Sequence, residues 1–451
     1  MKTSRFYCQC LFFYFFCGFL GTTFGFIQEI TINGSHHNKV VICHVEIWSV
    51  YRKDAGAFSI EEIDPSLCTH LVFGYTHLNE TTDEIIIFES WTKLLGRKSH
   101  ENISKLKAKK PDIKVLVSMG GWLDGSIKYS RLAANPKRVQ RFVNNTLDFI
   151  KENSLDGMHL VWQYPGKRGG LTTDKENYIQ LLKELKFAFK EFNYTLTACI
   201  GSSKDTIDYG YDIPKLSEIL DYMLVYNYDY HGWWSRMTGA NSGLTGPDFL
   251  NTEYSINYLL KLGANPHKLL LGIPLFGRSY ILNDTKSFNE NQPKFGQQFV
   301  GHGFEGPYTK EEGLLTYHEI CLLFKNSSQN WTIFWDDESN TPIAVDEDRM
   351  ISFDNEQAII LKVQFALNHG LGGFSAYAVD NDDFRGDCGI KYPLLGTIER
   401  ELSTYRYKID NDIDNNLSTG EIRSGSINYK SSLLMLLSVL FAAENFSFVI
   451  F

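Results

Sequence analysis

Eight short apolar runs alternating with amphipathic or polar segments constrain this chain's fold more than any other feature. Strands are expected near Val40–Val45, His70–Tyr75, Lys114–Met119, Gly157–Trp162, Thr195–Ile200, Tyr222–Asn227, Leu269–Pro274 and Gly373–Ala378. Between them, Ser99–Lys109, Val139–Glu152, Asp174–Phe192, Ser255–Leu262 and Asn355–Asn368 have the length and spacing of amphipathic helices. Parallel strands need crossover connections, which helices supply. The pattern therefore predicts an α/β chain closed into a (β/α)8 TIM barrel. An open doubly wound sheet is the alternative, but no glycine-rich phosphate loop follows the first run. At 451 residues, 43% hydrophobic and 14% aromatic, the chain has enough material for such a core.

One connection is too long for a simple barrel. Residues 280–354, between the seventh and eighth runs, hold glycine, proline, aromatics and strand-like pieces of their own. Structureless loops of that length are uncommon in compact domains. A small inserted α+β subdomain is expected, standing beside the C-terminal ends of the strands as one wall of a groove.

The two ends read differently from the middle. Lys2 and Arg5 precede the apolar run Leu11–Leu20, and Thr23-Phe24-Gly25 offers small residues at cleavage spacing, so 1–25 reads as a secretion signal. A short extension, 26–38, leads into the barrel at 39–402. A polar, acidic and disordered linker is expected over 403–431, around Asp410–Asn416. The tail 432–451 is apolar again, broken by Glu444 and Asn445. With Ser418-Thr419-Gly420 upstream, it resembles a signal for a glycolipid anchor. A weakly ordered extension is the other reading, and membrane association is expected through such an anchor alone.

Loss of the leader would remove Cys8, Cys10 and Cys17 and leave Cys43, Cys68, Cys199, Cys321 and Cys388, enough for two disulfides and one odd thiol. The net charge is −9, and losing Lys2 and Arg5 makes it more negative. That argues against nucleic acid as a partner, because phosphate binding needs clustered Lys and Arg. The basic run Lys105–Lys110 reads as a solvated helix face. Glycosylation sequons start at Asn33, Asn79, Asn102, Asn144, Asn193, Asn283, Asn326, Asn330 and Asn416, and in a chain with a leader they point to an extracellular glycoprotein. No metal site is expected, since the histidines, His36 and His37 among them, show no ligand spacing. No motif implies a cofactor.

Trp48, Trp122, Tyr228 and Trp234 fall at or just beyond strand ends, the functional side of a barrel. An aromatic face can stack on the apolar surface of a pyranose while its polar edge bonds hydroxyls. Any one of these rings could equally be core, but their joint placement favours a sugar groove. The motifs around them carry a resemblance. Ser118-Met119-Gly120-Gly121-Trp122 is similar to S-x-G-G-W, and Tyr226-Asn227-Tyr228-Asp229-Tyr230-His231-Gly232 to M-x-Y-D-F-H-G. Gly272–Ser279, Gly372–Asp380 and Asp382–Gly386 continue the series. Leu155–Pro165, with its core Asp156-Gly157-Met158-His159-Leu160-Val161-Trp162-Gln163-Tyr164-Pro165, resembles D-G-x-D-x-D-W-E-Y-P. The chain thus resembles glycoside hydrolase family 18, the chitinases, over about residues 40–402.

The resemblance implies disulfides Cys43–Cys68 and Cys321–Cys388. It also implies a groove in which Trp48, Tyr75, Trp122, Gln163, Tyr164, Tyr228, Asp229, Trp234, Arg278 and Tyr377 contact carbohydrate. In this family the substrate's own N-acetyl group is the nucleophile. The protein supplies a glutamic acid as proton donor and an aspartate two residues earlier to steady the acetamido group. Here those positions hold Gln163 and Val161, and a further family aspartate is His159. Strand alternation turns 157, 159, 161 and 163 inward together. Gln163 has no proton to give, and Val161 can neither accept a hydrogen bond nor stabilise positive charge. His159 lies deeper and reads as a satisfied core histidine. Asp156 is expected to hold the loop structure.

Three further departures surround the same subsite: Tyr377 for a tryptophan, Phe276 for a seventh-strand tyrosine and Tyr226 for a methionine. No catalytic residue is expected, and the site positions 159, 161 and 163 are degenerate. The expected function is binding of chitin or chito-oligosaccharide type N-acetylglucosamine glycans without cleavage. The alternatives are a signalling scaffold for a cell-surface protein, similar to the imaginal disc growth factors, and an active chitinase of unusual chemistry. Against the signalling scaffold, Thr238-Gly239-Ala240-Asn241-Ser242 keeps a chitinase-like stretch that those growth factors generally lack.

Overall fold

The computed structural model describes residues 37–283 and 294–419, with 409–419 as backbone only. Eight parallel strands close on themselves: β1 (Val40–Glu46), β2 (His70–Leu78), β3 (Lys114–Gly120), β4 (Gly157–Val161), β5 (Thr195–Ile200), β6 (Tyr222–Val225), β7 (Leu269–Pro274) and β8 (Gly373–Tyr377). Each pairs with its sequence neighbours, and β8 returns to β1 with Val41 opposite Phe374. The expected (β/α)8 barrel is the fold.

Alternation along the strands sorts the side chains. The outward set, including Val41, Val45, Phe73, Val117, Met158, Leu160 and Trp162, packs with the helices in the main core. The inward set forms layers. Ile42, Val72, Leu116, Leu224 and Leu270 make an apolar floor at the strands' N-terminal ends. Above it lies a buried polar layer holding His44, Ser118, His159, Thr197 and Ser375. Val161, Cys199, Tyr226, Tyr228 and Phe276 cap the layers, with Tyr75 and Tyr377 against them.

The insertion is a second sheet of strands Phe276–Leu282, Phe299–Val300, Leu314–Thr316, Thr332–Asp336, Thr341–Asp346 and Arg349–Ser352, with a helix at Tyr317–Lys325. It starts at Phe276, earlier than 280, because β7 stops at Pro274. Phe276 and Arg278, expected on the seventh barrel strand, stand on the first strand of this sheet. The buried ion pair of Lys362 with Asp354 (2.6 Å), to which Ser242 also bonds, ties the end of the insertion to helix Glu356–Asn368. Disulfides join Cys43 to Cys68 and Cys321 to Cys388, and Cys199 is a buried free thiol.

Several expectations need correction. The last helix runs over Pro393–Thr419, so 403–419 is helical where a linker was expected. Its apolar face, Leu394, Leu395, Ile398 and Leu402, is buried and nucleates a helix that carries on through the acidic run. His37, read as a surface histidine, pairs with Glu399 at 2.8 Å with its side chain buried. Within the basic run, Lys110 is buried and donates to the Cys68 carbonyl. Residues 1–36 and 420–451, which hold the leader, most of the extension and the tail, lie outside the described residues. Asn144, Asn193, Asn283, Asn326 and Asn330 are exposed, whereas Asn79 and Asn102 are half-buried. Asn33 lies outside the described residues, and Asn416 is described as backbone only. Among the described residues, no helix is long and apolar enough to cross a membrane.

Candidate functional site: an aromatic groove over a filled centre

The C-terminal ends of the strands carry the groove. After β3 the chain turns through Gly120 (φ 115°) and Gly121 (φ 91°). A Cβ on Gly120 would lie 2.1 Å from the Val161 carbonyl oxygen, and one on Gly121 would press on the Tyr75 ring, so both positions require glycine. The next residue, Trp122, is 60% exposed. Asp124 secures this turn by accepting from His77 Nδ1 (2.6 Å) and Tyr129 OH, and by pairing with Lys128. Trp48, on the short helix Ile47–Tyr51 after β1, is 39% exposed, and its ring stacks on Tyr75 at 5.8 Å. At the other end Trp234 is exposed, with the Arg278 guanidinium 5.0 Å from its ring centre. Arg278 donates from Nε (2.9 Å) and Nη2 (2.6 Å) to Asp229 Oδ1.

Between these ends the centre is filled with side chains. Tyr226 and Tyr228 stack at 5.2 Å, and Tyr228 meets Phe276 at 5.6 Å and Tyr377 at 6.0 Å. Tyr226 and Tyr228 are buried, and neither hydroxyl has a hydrogen-bond partner. Tyr228 is therefore wall rather than displayed surface. Tyr75, Gln163, Tyr164 and Tyr377 are half-buried. Val161 is fully buried and packs with Cys199, Tyr226, Tyr228 and Phe276. His159 is buried as expected, but only half satisfied: Nδ1 lies 2.9 Å from Thr197 Oγ1, and Nε2 has no partner. Burial and the neighbouring His44 ring, 5.3 Å away, hold its pKa well below the ordinary value. Burial likewise brings His44 down to about 3. Asp156 accepts from Val115 N and pairs with Lys107, both at 2.8 Å, and so holds the entry to β4.

Two features of this region escaped the sequence reading. The Arg168 guanidinium lies 3.7 Å from the Trp122 ring centre and donates to the carbonyls of Trp122 (2.9 Å) and Gln163 (3.0 Å). One face of Trp122 is thus covered by a cation, and the opposite face remains open. The second is a carboxyl pair beneath Tyr377. Glu46 Oε2 and Asp380 Oδ2 share the Arg52 guanidinium at 2.6 and 2.9 Å, and Tyr377 bonds to Glu46. Burial and the adjacent Asp380 charge raise Glu46 to about 8. The signal was present: Glu46 follows Ile42 and His44 on the inward face of β1, where a charge demands a partner. As for metal ligands, His318, Asp383 and Asp387 come within 4.8 Å of one another. Asp383 is already taken up by the amides of Gly386, Asp387 and Cys388, so the cluster reads as a loop clasp.

The chain matches the glycosyl hydrolases family 18 profile over residues 40–382. It belongs to glycosyl hydrolase family 18. Among its relatives, Drosophila melanogaster "Probable chitinase 2" is 40% identical over 373 residues, covering 79% of this chain and 74% of that one. Manduca sexta "Endochitinase" is 30% identical over 376 residues, covering 81% and 68%. The Ostrinia furnacalis Group IV chitinase, solved in complex with allosamidin, superposes with a TM-score of 0.77 at 33% identity, over 81% of this chain and 99% of that one. Human YKL-39, described as a pseudo-chitinase with retained chitooligosaccharide binding properties, superposes with a TM-score of 0.73 at 29% identity, over 81% and 99%. In this chain β4 ends at Val161, and Gln163 follows two residues beyond it.

Proposed function

We propose that the chain is a non-hydrolysing family 18 protein that binds chito-oligosaccharide type N-acetylglucosamine glycans along its groove. The observation carrying the reading is the environment of Val161. The place from which the family resemblance requires a carboxylate to steady the acetamido group holds a fully buried valine packed with Cys199, Tyr226, Tyr228 and Phe276. Beside it Gln163 keeps hydrogen-bonding capacity without a transferable proton. Loss of a general acid alone forfeits ~10²–10⁴-fold in rate, and the missing charge stabilisation adds to that loss. Glu46 retains a proton near neutral pH, but it is buried under Tyr377 and committed to Arg52. What remains outward is a binding surface: Trp48, the open face of Trp122, Gln163, Tyr164, Asp229, Trp234 and the edge of Tyr377, with the buried Arg278 holding Asp229 from behind. The related human YKL-39, with its retained chitooligosaccharide binding, supports this combination.

We further propose an extracellular setting, supported by the leader-like start, the two disulfides and the exposed sequon asparagines. Calorimetric titration with N-acetylglucosamine oligomers, run beside a fluorogenic chitobioside assay from acid to neutral pH, tests the function. Binding heat without turnover is expected. Absence of heat at millimolar ligand, or turnover that a Glu46→Gln substitution abolishes, overturns the reading.

A further inference from the structure

Next to Trp234 in sequence stands a second exposed tryptophan that neither the family motifs nor the groove reading uses. Trp233 and Trp234 occupy the middle of a tight turn closed by Ser235 N to the Gly232 carbonyl (2.9 Å) and by Gly232 N to Ser235 Oγ (3.3 Å). Each is 45% exposed, and their rings meet edge to face at 5.8 Å with 79° between planes. They diverge on purely local grounds. Trp234 lies over Gly232, where a Cβ would fall 2.4 Å from its ring, and it leans toward Arg278. Trp233 leans the other way, onto the insertion. Its ring centre is 4.5 Å from that of His302, and a Cβ on Gly313 would come within 3.3 Å of its Cδ1.

The contacts therefore run without a break from Asp229 to Arg278, Trp234, Trp233 and His302, out of the groove and onto the inserted sheet. Large aromatic surface left half exposed is costly in water. Here the rings are also held by their neighbours, so little side-chain freedom remains to be lost on binding. Perpendicular rings cannot both lie under one flat pyranose, but they can take two successive residues of a chain that turns as it leaves the groove.

Resting on the binding reading above, we propose that Trp233 forms an additional carbohydrate subsite beyond Trp234. It would take a pyranose of the same N-acetylglucosamine chain by stacking, with the insertion as its back wall. The occupant is the continuation of the glycan already in the groove, because the aromatic surface is continuous with Trp234 and Arg278.

The test uses protein labelled with 5-fluorotryptophan, with the Trp233 resonance assigned by its loss in Trp233→Phe. On adding the N-acetylglucosamine hexamer, the Trp233 resonance is expected to shift. Trp233→Ala is expected to weaken hexamer binding about fivefold to twentyfold, and Trp233→Phe to recover most of that loss. Shifts at other tryptophans with Trp233 unmoved, or unchanged affinity in Trp233→Ala, overturn the subsite and leave the groove standing. No shift at any tryptophan and no binding heat overturn the groove reading and the subsite with it.

Discussion

At the scale of the residue, position 161 decides more than position 163. Gln163 is half-buried two residues beyond the end of β4, where a glutamate could be accommodated with little rearrangement. Val161 sits below in a buried layer with Cys199, Tyr226, Tyr228 and Phe276. Gln163→Glu would restore a proton donor but not the group that balances the cation formed next to it. Turnover of a fluorogenic chitobioside by Gln163→Glu is therefore expected to stay below detection, and substantial hydrolysis would show that position 161 is dispensable. That 159 and 161 share one inward face was legible, because strand alternation alone puts them there. The burial of Tyr228 was not legible, since it depends on Phe276 arriving from another element. Nor was the Arg168 contact with Trp122, which joins residues far apart in sequence through a stacked guanidinium.

At the scale of the element, the barrel strands begin where the sequence placed them, while most of their ends differ by one to three residues. Their outward faces carry the unbroken apolar pattern that helix packing needs, and the inward faces carry the interruptions. Helices such as Ser99–Lys109 and Asp174–Lys190 fell where periodicity put them. The last helix did not. Asp and Asn are poor helix formers, yet a helix already packed through Leu394, Leu395 and Ile398 extends past residue 403. One of the ties that place the insertion is the buried ion pair of Lys362 with Asp354. Lys362→Met leaves Asp354 buried and uncompensated and is expected to cost ~3–5 kcal/mol. Lys362→Met with Asp354→Leu is expected to recover much of it. Chemical denaturation of the two variants checks this. Equal losses in both would show that the pair does not hold the insertion through charge.

At the scale of the whole molecule, buried titratable groups set how stability depends on pH. His44, His70 and His159 are all neutral in the fold, pushed down by burial, His44 to about 3 and His70 to about 4. Unfolded, each takes a proton below about pH 6.5. As pH falls from there toward 4, each removes about 1.4 kcal/mol of stability per pH unit. The Glu46–Asp380 pair acts in the opposite direction. The fold retains a proton that the unfolded chain has lost above about 4.5, so stability falls as pH rises toward 8. Asp382, pushed up to about 7 by burial, adds to that slope; the three histidines outweigh the two carboxyl sites on the acid side, and the carboxyl sites prevail above about 6.5. A stability maximum is expected near that point, read from urea midpoints across pH. Glu46→Gln should flatten the alkaline limb alone, and an unchanged alkaline limb in that variant would show that the pair carries no shared proton.

The clasp between Cys321 and Cys388 has a consequence for wear. It joins the insertion's helix to the loop beyond the last barrel strand, bridging the whole stretch that contains the exposed turn Asn326–Asn330 and the following hairpin. A protease cutting anywhere in that stretch breaks the peptide chain without releasing a fragment. Under oxidising conditions a nicked groove wall thus stays covalently joined to the barrel until the disulfide is reduced.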